Sequence, residues 1–169
     1  DPVLAELLRT DSAGRLALIA DEQAAITDLL RQRLRAALGE CFDRVLVLNR
    51  MGRAEYLSLV ARADVILDTP HYGAGANTVY DALAAGTPLV TLPGPFQRGR
   101  YAAAALLQTG LSELIAASPA EYVCLALRLA TEPDYQQALR QQILQAVAVL
   151  FEDNRAVTQF EDFVLRVLS

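Results

Sequence analysis

Lysine is missing from this chain: all fifteen basic residues are arginine. Chemistry that needs a lysine amine, such as Schiff-base formation, is therefore excluded within it. Any phosphate contact falls to arginine, to hydroxyls or to backbone N–H groups. Cysteine is scarce, with Cys41 and Cys124 alone. Both lie in apolar-rich stretches and read as small buried residues, not as a disulfide framework, which points to a reducing cytoplasm. The single histidine, His71, has no second His and no Cys nearby in sequence, so no zinc site is expected. No apolar run reaches the roughly 18–20 residues of a membrane span, and no signal peptide is visible. A net charge of −5 leaves little basic surface, which argues against nucleic acid or an anionic membrane as partner.

What is present is a chain of 169 residues, 53% hydrophobic, which suits one compact domain over 1–169. Asp1 and Pro2 read as an N-cap and first helical position, so the chain opens on a helix over 2–9 and reads as a fragment. Short apolar runs then alternate with helical patterns. Leu16 to Ala20, Val45 to Leu48, Val65 to Leu67 and Leu89 to Leu92 are strand candidates, and Leu114-Ile115 a very short one. Between them Ile26, Leu29, Leu30, Leu34 and Leu38 recur at helical spacing up to Gly39. Helices are also predicted over 53–62, 78–85, 97–109 and from Pro133 to about Leu150. Ser118 to Glu121 is a capping box with Pro at the first helical position. An amphipathic C-terminal helix over 154–168 aligns Val157, Phe160, Val164 and Leu168, a face for a missing half of the protein or for a second copy in a homodimer. Buried strands alternating with helices predict an α/β fold: a Rossmann-like, doubly wound parallel sheet covered on both faces. Its ligand belongs at the carboxyl ends of the strands.

The loop Thr69 to Asn77 emerges there. Gly73 and Gly75 let the backbone turn and approach a ligand closely. The helix expected from Thr78 offers unpaired N–H groups and a positive dipole end to a pyrophosphate. Asn77 and Thr78 add polar side chains, and Asp81 shares their helix face, where a carboxylate can accept hydrogen bonds from ribose hydroxyls. The competing reading is that Thr78 to Asp81 is a capping box that needs no ligand. The third glycine of the dinucleotide fingerprint is missing, which disfavours a nicotinamide cofactor. Arg53 opens a helix on the same sheet edge, as a phosphate contact or a solvated surface residue. Tyr56 is a base-stacking ring or a core residue in line with Leu59 and Val60. His71 is a mobile loop residue or a sugar or phosphate contact. Arg98 and Arg100 face an anionic ligand or solvent. Asp64 and Asp68 do not form the short Asp-x-Asp pair of metal-dependent sugar transfer, and no nucleophile–His–acid set surrounds the loop.

The stretch from Ala63 to Gly94, with its run from Asp68 to Asp81, closely resembles the O-linked N-acetylglucosamine transferase family, most of all its bacterial branch, whose members often carry tetratricopeptide repeats. The resemblance extends weakly through Arg100 and over Gly110 to Ala116. It implies the C-terminal, donor-binding half of a GT-B glycosyltransferase, acting on protein Ser or Thr with a UDP-sugar, usually UDP-N-acetylglucosamine, and without a metal. By position it assigns Asn77 and Thr78 to the diphosphate and Asp81 to the ribose. Arg53 falls near the nucleotide, and Tyr56 where relatives stack a His on uracil. Ala76 and Asn77 stand where the animal enzymes carry a His before paired hydroxyl residues, and the loop is longer. The family's phosphate-binding Lys belongs to a strand just before Asp1. The expected partners are therefore a UDP-sugar, a protein acceptor and the N-terminal half of the enzyme. The residues leave two other readings open: a non-catalytic nucleotide-binding or scaffold module, and a UDP-sugar epimerase-like domain.

Overall fold

The structure, a computed structural model, describes residues 1–168. Its first unit is helix α1 (Pro2–Thr10), strand β1 (Leu16–Ile19), helix α2 (Ala24–Leu38) and strand β2 (Val45–Leu48). The strands pair in parallel, with Leu16 opposite Val45 and Ile19 opposite Leu48. Parallel neighbours need a crossover, and α2 provides it. Gly39 ends α2 with a φ of 57°, where a Cβ would be strained. The α2 face that packs inward carries Thr27, Leu30, Leu34 and Leu38. Ile26 and Leu29, which share the helical spacing, lie 45% and 65% exposed, so only part of the predicted apolar stripe is core.

Helix α3 (Arg53–Arg62) leads to β3 (Ile66–Leu67), helix α4 (Gly75–Ala84) and β4 (Leu89–Val90). β3 and β4 are again parallel. The short strand expected at Leu114-Ile115 does not form: Leu114 ends a short 3-10 helix (Ser112–Leu114), and Ile115 makes only an isolated parallel bridge to Thr91. After β4 come a short helical turn (Gln97–Gly99), α5 (Tyr101–Thr109), α6 (Pro119–Thr131), α7 (Pro133–Ala146) and α8 (Arg155–Leu168). The main core joins Val60 of α3, Val79 and Leu83 of α4, Leu89, Leu106 of α5, Leu129 of α6 and Ile143 of α7. A smaller core joins Ala5 and Leu8 of α1 to Leu34 and Leu38.

The strand ladder is not continuous. β1–β2 and β3–β4 form two separate two-stranded sheets. Between them lies an apolar cavity whose walls include Leu16 of β1 and Leu67 of β3, with Leu8 of α1 and Leu127 of α6 among the other lining residues.

The Ser118 cap of α6 forms as expected, while Glu121 reaches back to the residue before Ser118 and not to the Ser118 amide of a capping box. The Ser118 hydroxyl accepts the Glu121 amide at 3.2 Å, and Glu121 Oε2 accepts the Ala117 amide at 2.7 Å. Ser118→Ala is expected to cost about 1 kcal/mol of unfolding free energy, measurable by denaturant titration. Two expectations fail in α5 and α6. Cys124 is exposed, because Tyr122, Val123, Ala126 and Leu129 take the inward face of α6; Cys41 is half-buried against the smaller core. Residues 97–109 are not one helix, since the turn at Gln97–Gly99 precedes an α5 that starts at Tyr101. The apolar stripe of α8 is confirmed as a helix face, but no residue of α8 is buried; Phe160 is 67% exposed.

Candidate functional site

The loop after β3 is held from behind by Asp68. This residue is 3% exposed, and its backbone N–H donates to Val90 O at 3.0 Å. Asp68 Oδ1 accepts the Ala74 amide at 2.5 Å, and Oδ2 accepts the Thr91 hydroxyl at 2.6 Å. The Asp68 carbonyl accepts the Tyr122 hydroxyl of α6 at 2.9 Å. Burial, and then the nearby Asp68, push the Tyr122 hydroxyl well above the usual tyrosine range, so it stays a donor.

In front of this anchor the loop turns sharply. The Gly73 amide donates to Thr69 O at 2.8 Å, and His71 adopts a φ of 76° at the turn. Gly73 has a φ of 81°, and a Cβ there would come within 2.5 Å of Arg98 O. The loop is therefore packed backbone-on-backbone against the turn at Gln97–Gly99, and only glycine fits. Gly75 has a φ of 78° with nothing within 4 Å of a Cβ, so open space lies in front of it.

Helix α4 begins at Gly75, three positions before the expected Thr78. Thr78 is consequently inside the helix, and the capping box expected over 78–81 does not exist: no side chain caps α4. The amides of Gly75, Ala76 and Asn77 take no hydrogen-bond partner among the described residues. These are the groups that a helix leaves unsatisfied at its start, and they carry the positive end of its dipole.

Asp81 lies one turn beyond Asn77, about 6 Å further along the axis and about 40° around it at the usual helical rise and twist. Its carboxylate receives both terminal nitrogens of Arg53, at 2.8 and 2.7 Å. The two side chains differ in exposure, 13% for Asp81 and 67% for Arg53. The Arg53 pKa is raised, chiefly by this hydrogen bond and then by the Asp81 charge. Arg53 and Asp81 are separate candidates in the sequence; the fold brings them together at the start of α3, which is where the loop after β2 emerges. The pair is internally neutral, so Asp81 does not oppose an anion held nearby. A carboxylate has about four lone-pair sites, and Arg53 uses two, which leaves acceptor capacity for hydroxyls.

The remaining candidates are placed as follows. Asn77 is exposed at the helix start, and Thr78 is half-buried. Tyr56 is half-buried and packs against the main core, as the core reading expects, with part of its ring still accessible. His71 is exposed at the loop turn, and its imidazole has no partner among the described residues. Arg98 covers the Phe96 ring at 4.6 Å, and Arg100 is exposed where α5 begins. Asp64 accepts Gln136 Nε2 at 3.1 Å, far from any shared role with Asp68. No three His, Cys, Asp or Glu side chains converge to hold a metal among the described residues. Asp68, Thr91 and Tyr122 are the site residues that sequence reading missed. The available signal was a pair of polar residues, Asp68 and Thr91, abutting otherwise apolar strand runs.

Comparison with known proteins gives this geometry a family. A model of glycosyl transferase family 41 matches residues 25–159. A UDP-N-acetylglucosamine–peptide N-acetylglucosaminyltransferase of Caenorhabditis elegans is 33% identical over 124 residues, which are 72% of this chain and 11% of that protein. A probable enzyme of the same description in Arabidopsis thaliana is 34% identical over 129 residues, 75% of this chain and 13% of that protein. A solved mutant of the Thermobaculum terrenum O-GlcNAc transferase superposes with a TM-score of 0.85 at 30% identity, covering 98% of this chain and 32% of that one. The present chain thus spans only a minor part of the length of each. The fold is a Rossmann-like α/β domain of a GT-B glycosyltransferase, and the chain belongs to glycosyl transferase family 41.

Proposed function

We propose that this chain is the donor-binding part of an inverting, metal-independent glycosyltransferase that moves N-acetylglucosamine or a related hexose from UDP to a protein Ser or Thr. The observation that carries the proposal is the row of free amides at Gly75, Ala76 and Asn77, with Asp81 one turn further along the same helix face. A nucleoside diphosphate fits that spacing: its phosphates meet the helix start, and its ribose lies against Asp81. The Asn77 and Thr78 side chains complete the diphosphate contact. Open space before Gly75 admits the phosphates, Arg53 holds the Asp81 carboxylate in place and neutralises it, and the accessible part of the Tyr56 ring flanks the uracil. His71, on the exposed turn, faces the sugar or phosphate.

In the transfer step the bond from the anomeric carbon to the diphosphate oxygen breaks as the acceptor oxygen forms a bond on the opposite face. Negative charge grows on the departing diphosphate. Fixed N–H dipoles at the start of α4 stabilise that charge more in the transition state than in the bound donor, which is what accelerates the step. No residue of the loop is assigned as the base that takes the acceptor proton.

The same reading assigns the chain to the C-terminal half of a larger enzyme of the bacterial branch, working in the cytoplasm with the N-terminal half as its partner. The cavity between β1 and β3 supports it. In a doubly wound sheet the central strand lies between the second and fourth strands, and β1 and β3 have the positions of those two. Helix α8 offers its apolar stripe to the N-terminal half or to a second copy. No helix is long and apolar enough to cross a membrane among the described residues.

The test is calorimetric titration of UDP and of UDP-N-acetylglucosamine into the full-length protein, with analysis of products after incubation with an acceptor peptide. Saturable binding at millimolar concentration or below is expected, with the sugar transferred to Ser or Thr. Absence of binding would leave a scaffold, and an epimerised free sugar nucleotide would replace transfer by epimerisation.

A further inference from the structure

We propose that Asp68 is a positioning residue for the donor site: its buried carboxylate ties the loop over 69–74 to the sheet and so aims the free amides of Gly75, Ala76 and Asn77. The inference rests on the donor-site reading above. Asp68 joins four parts of the molecule. It directly follows β3, its backbone N–H meets β4, its carboxylate takes the Ala74 amide and the Thr91 hydroxyl, and its carbonyl takes Tyr122 of α6. Both carboxylate oxygens are used, and neither faces a cation among the described residues. The residue therefore has no part in the diphosphate contact itself; it acts through Ala74, which immediately precedes the first turn of α4.

The geometry distinguishes two replacements. Ala at position 68 leaves the Ala74 amide and the Thr91 hydroxyl without their acceptor, and the loop loses the side-chain anchor that it has at that point among the described residues. Asn can keep both bonds. Its amide oxygen faces the Ala74 N–H, which can only donate, and its NH2 group donates to the Thr91 hydroxyl, which can turn and accept. Recovery of function in Asp68→Asn would show that the two hydrogen bonds, and not the negative charge, carry the effect.

The experiment compares full-length wild type with Asp68→Ala, Asp68→Asn, Thr91→Val and Thr87→Val. UDP Kd is measured by calorimetry, donor KM and kcat by steady-state kinetics, and melting temperature by calorimetric scan. Thr87→Val is the stability control. It removes a buried hydroxyl that donates to Val60 O at 2.9 Å, away from the loop. Asp68→Ala is expected to raise Kd and donor KM about tenfold, the loss of one hydrogen bond's worth of aim, with a smaller change in kcat. Asp68→Asn should restore most of the affinity, and Thr87→Val should lower the melting temperature while leaving Kd alone. Equal Kd values for Asp68→Ala and wild type would overturn the proposal, as would a loss that Asp68→Asn does not recover. If Asp68→Ala does not fold, Thr91→Val decides: a several-fold rise in Kd is expected, and an unchanged Kd refutes the positioning role. Failure of the wild type itself to bind UDP is a different result, which sinks the donor-site reading and this inference with it.

Discussion

Asp81→Ala in the full-length enzyme is expected to weaken UDP binding roughly 10- to 100-fold, the range for losing hydrogen bonds to a charged acceptor. The carboxylate is held nearly immobile by the bidentate contact with Arg53, so its unused lone pairs are directed before any ligand arrives. A rigid acceptor of this kind spends little ordering entropy on binding, and the full hydrogen-bond free energy reaches the affinity. Arg53→Ala separates the two roles of the pair. It removes the ion pair but leaves Asp81 able to accept, so its effect on Kd should be smaller than that of Asp81→Ala. The Arg53 end of the pair is solvent-exposed, so the pair contributes little to folding and both variants should melt close to wild type. If Asp81→Ala binds UDP as wild type does, the ribose assignment is lost, and Asp81 is left as the partner of Arg53 alone.

Gly73→Ala should be the most damaging single-methyl change in the loop. Two costs add. The φ of 81° places a side chain in the left-handed region, at about 1–2 kcal/mol. The new Cβ would also stand 2.5 Å from the Arg98 carbonyl, a backbone atom that cannot swing aside. A total of about 2–4 kcal/mol in unfolding free energy is expected, or a visible displacement of the loop at 69–74 from the turn at 97–99. Gly75→Ala is the matched comparison. Its φ of 78° carries the same conformational cost, but no atom lies within 4 Å of its Cβ. Gly75→Ala should therefore lose less stability in urea titration while weakening UDP binding, because its methyl group fills the space assigned to the phosphates. Equal stability losses in the two variants would mean that the loop-to-turn contact is not tight.

Most of the element order was legible in the sequence because its signals are local. The apolar runs at 16–20, 45–48, 65–67 and 89–92 each contain a parallel strand, and α3 spans the predicted 53–62. Ser118-Pro119 started α6 where the capping box placed it. What failed was the start of α4. Thr78 to Asp81 carries the residue types of a capping box, yet the helix begins at Gly75, because the residue before it, Ala74, is anchored by Asp68, just after the preceding strand. A capping rule that searches only the next three residues cannot find an acceptor six residues upstream. Cys124 failed for a related reason: an apolar neighbourhood in sequence does not say which side of a helix a residue takes.

Residue chemistry along the chain was enough to determine an α/β domain with a glycine-bearing loop at the strand ends, and to exclude lysine chemistry. Pattern and composition act over a few residues, and those features are local. Tertiary structure alone decided that Arg53 grips Asp81 across 28 positions, that Asp68, Thr91 and Tyr122 lock one loop, and that Gly73 lies against Arg98. Such contacts depend on how parallel strands and their crossover helices bring distant segments to one edge of the sheet, and no local preference encodes that distance.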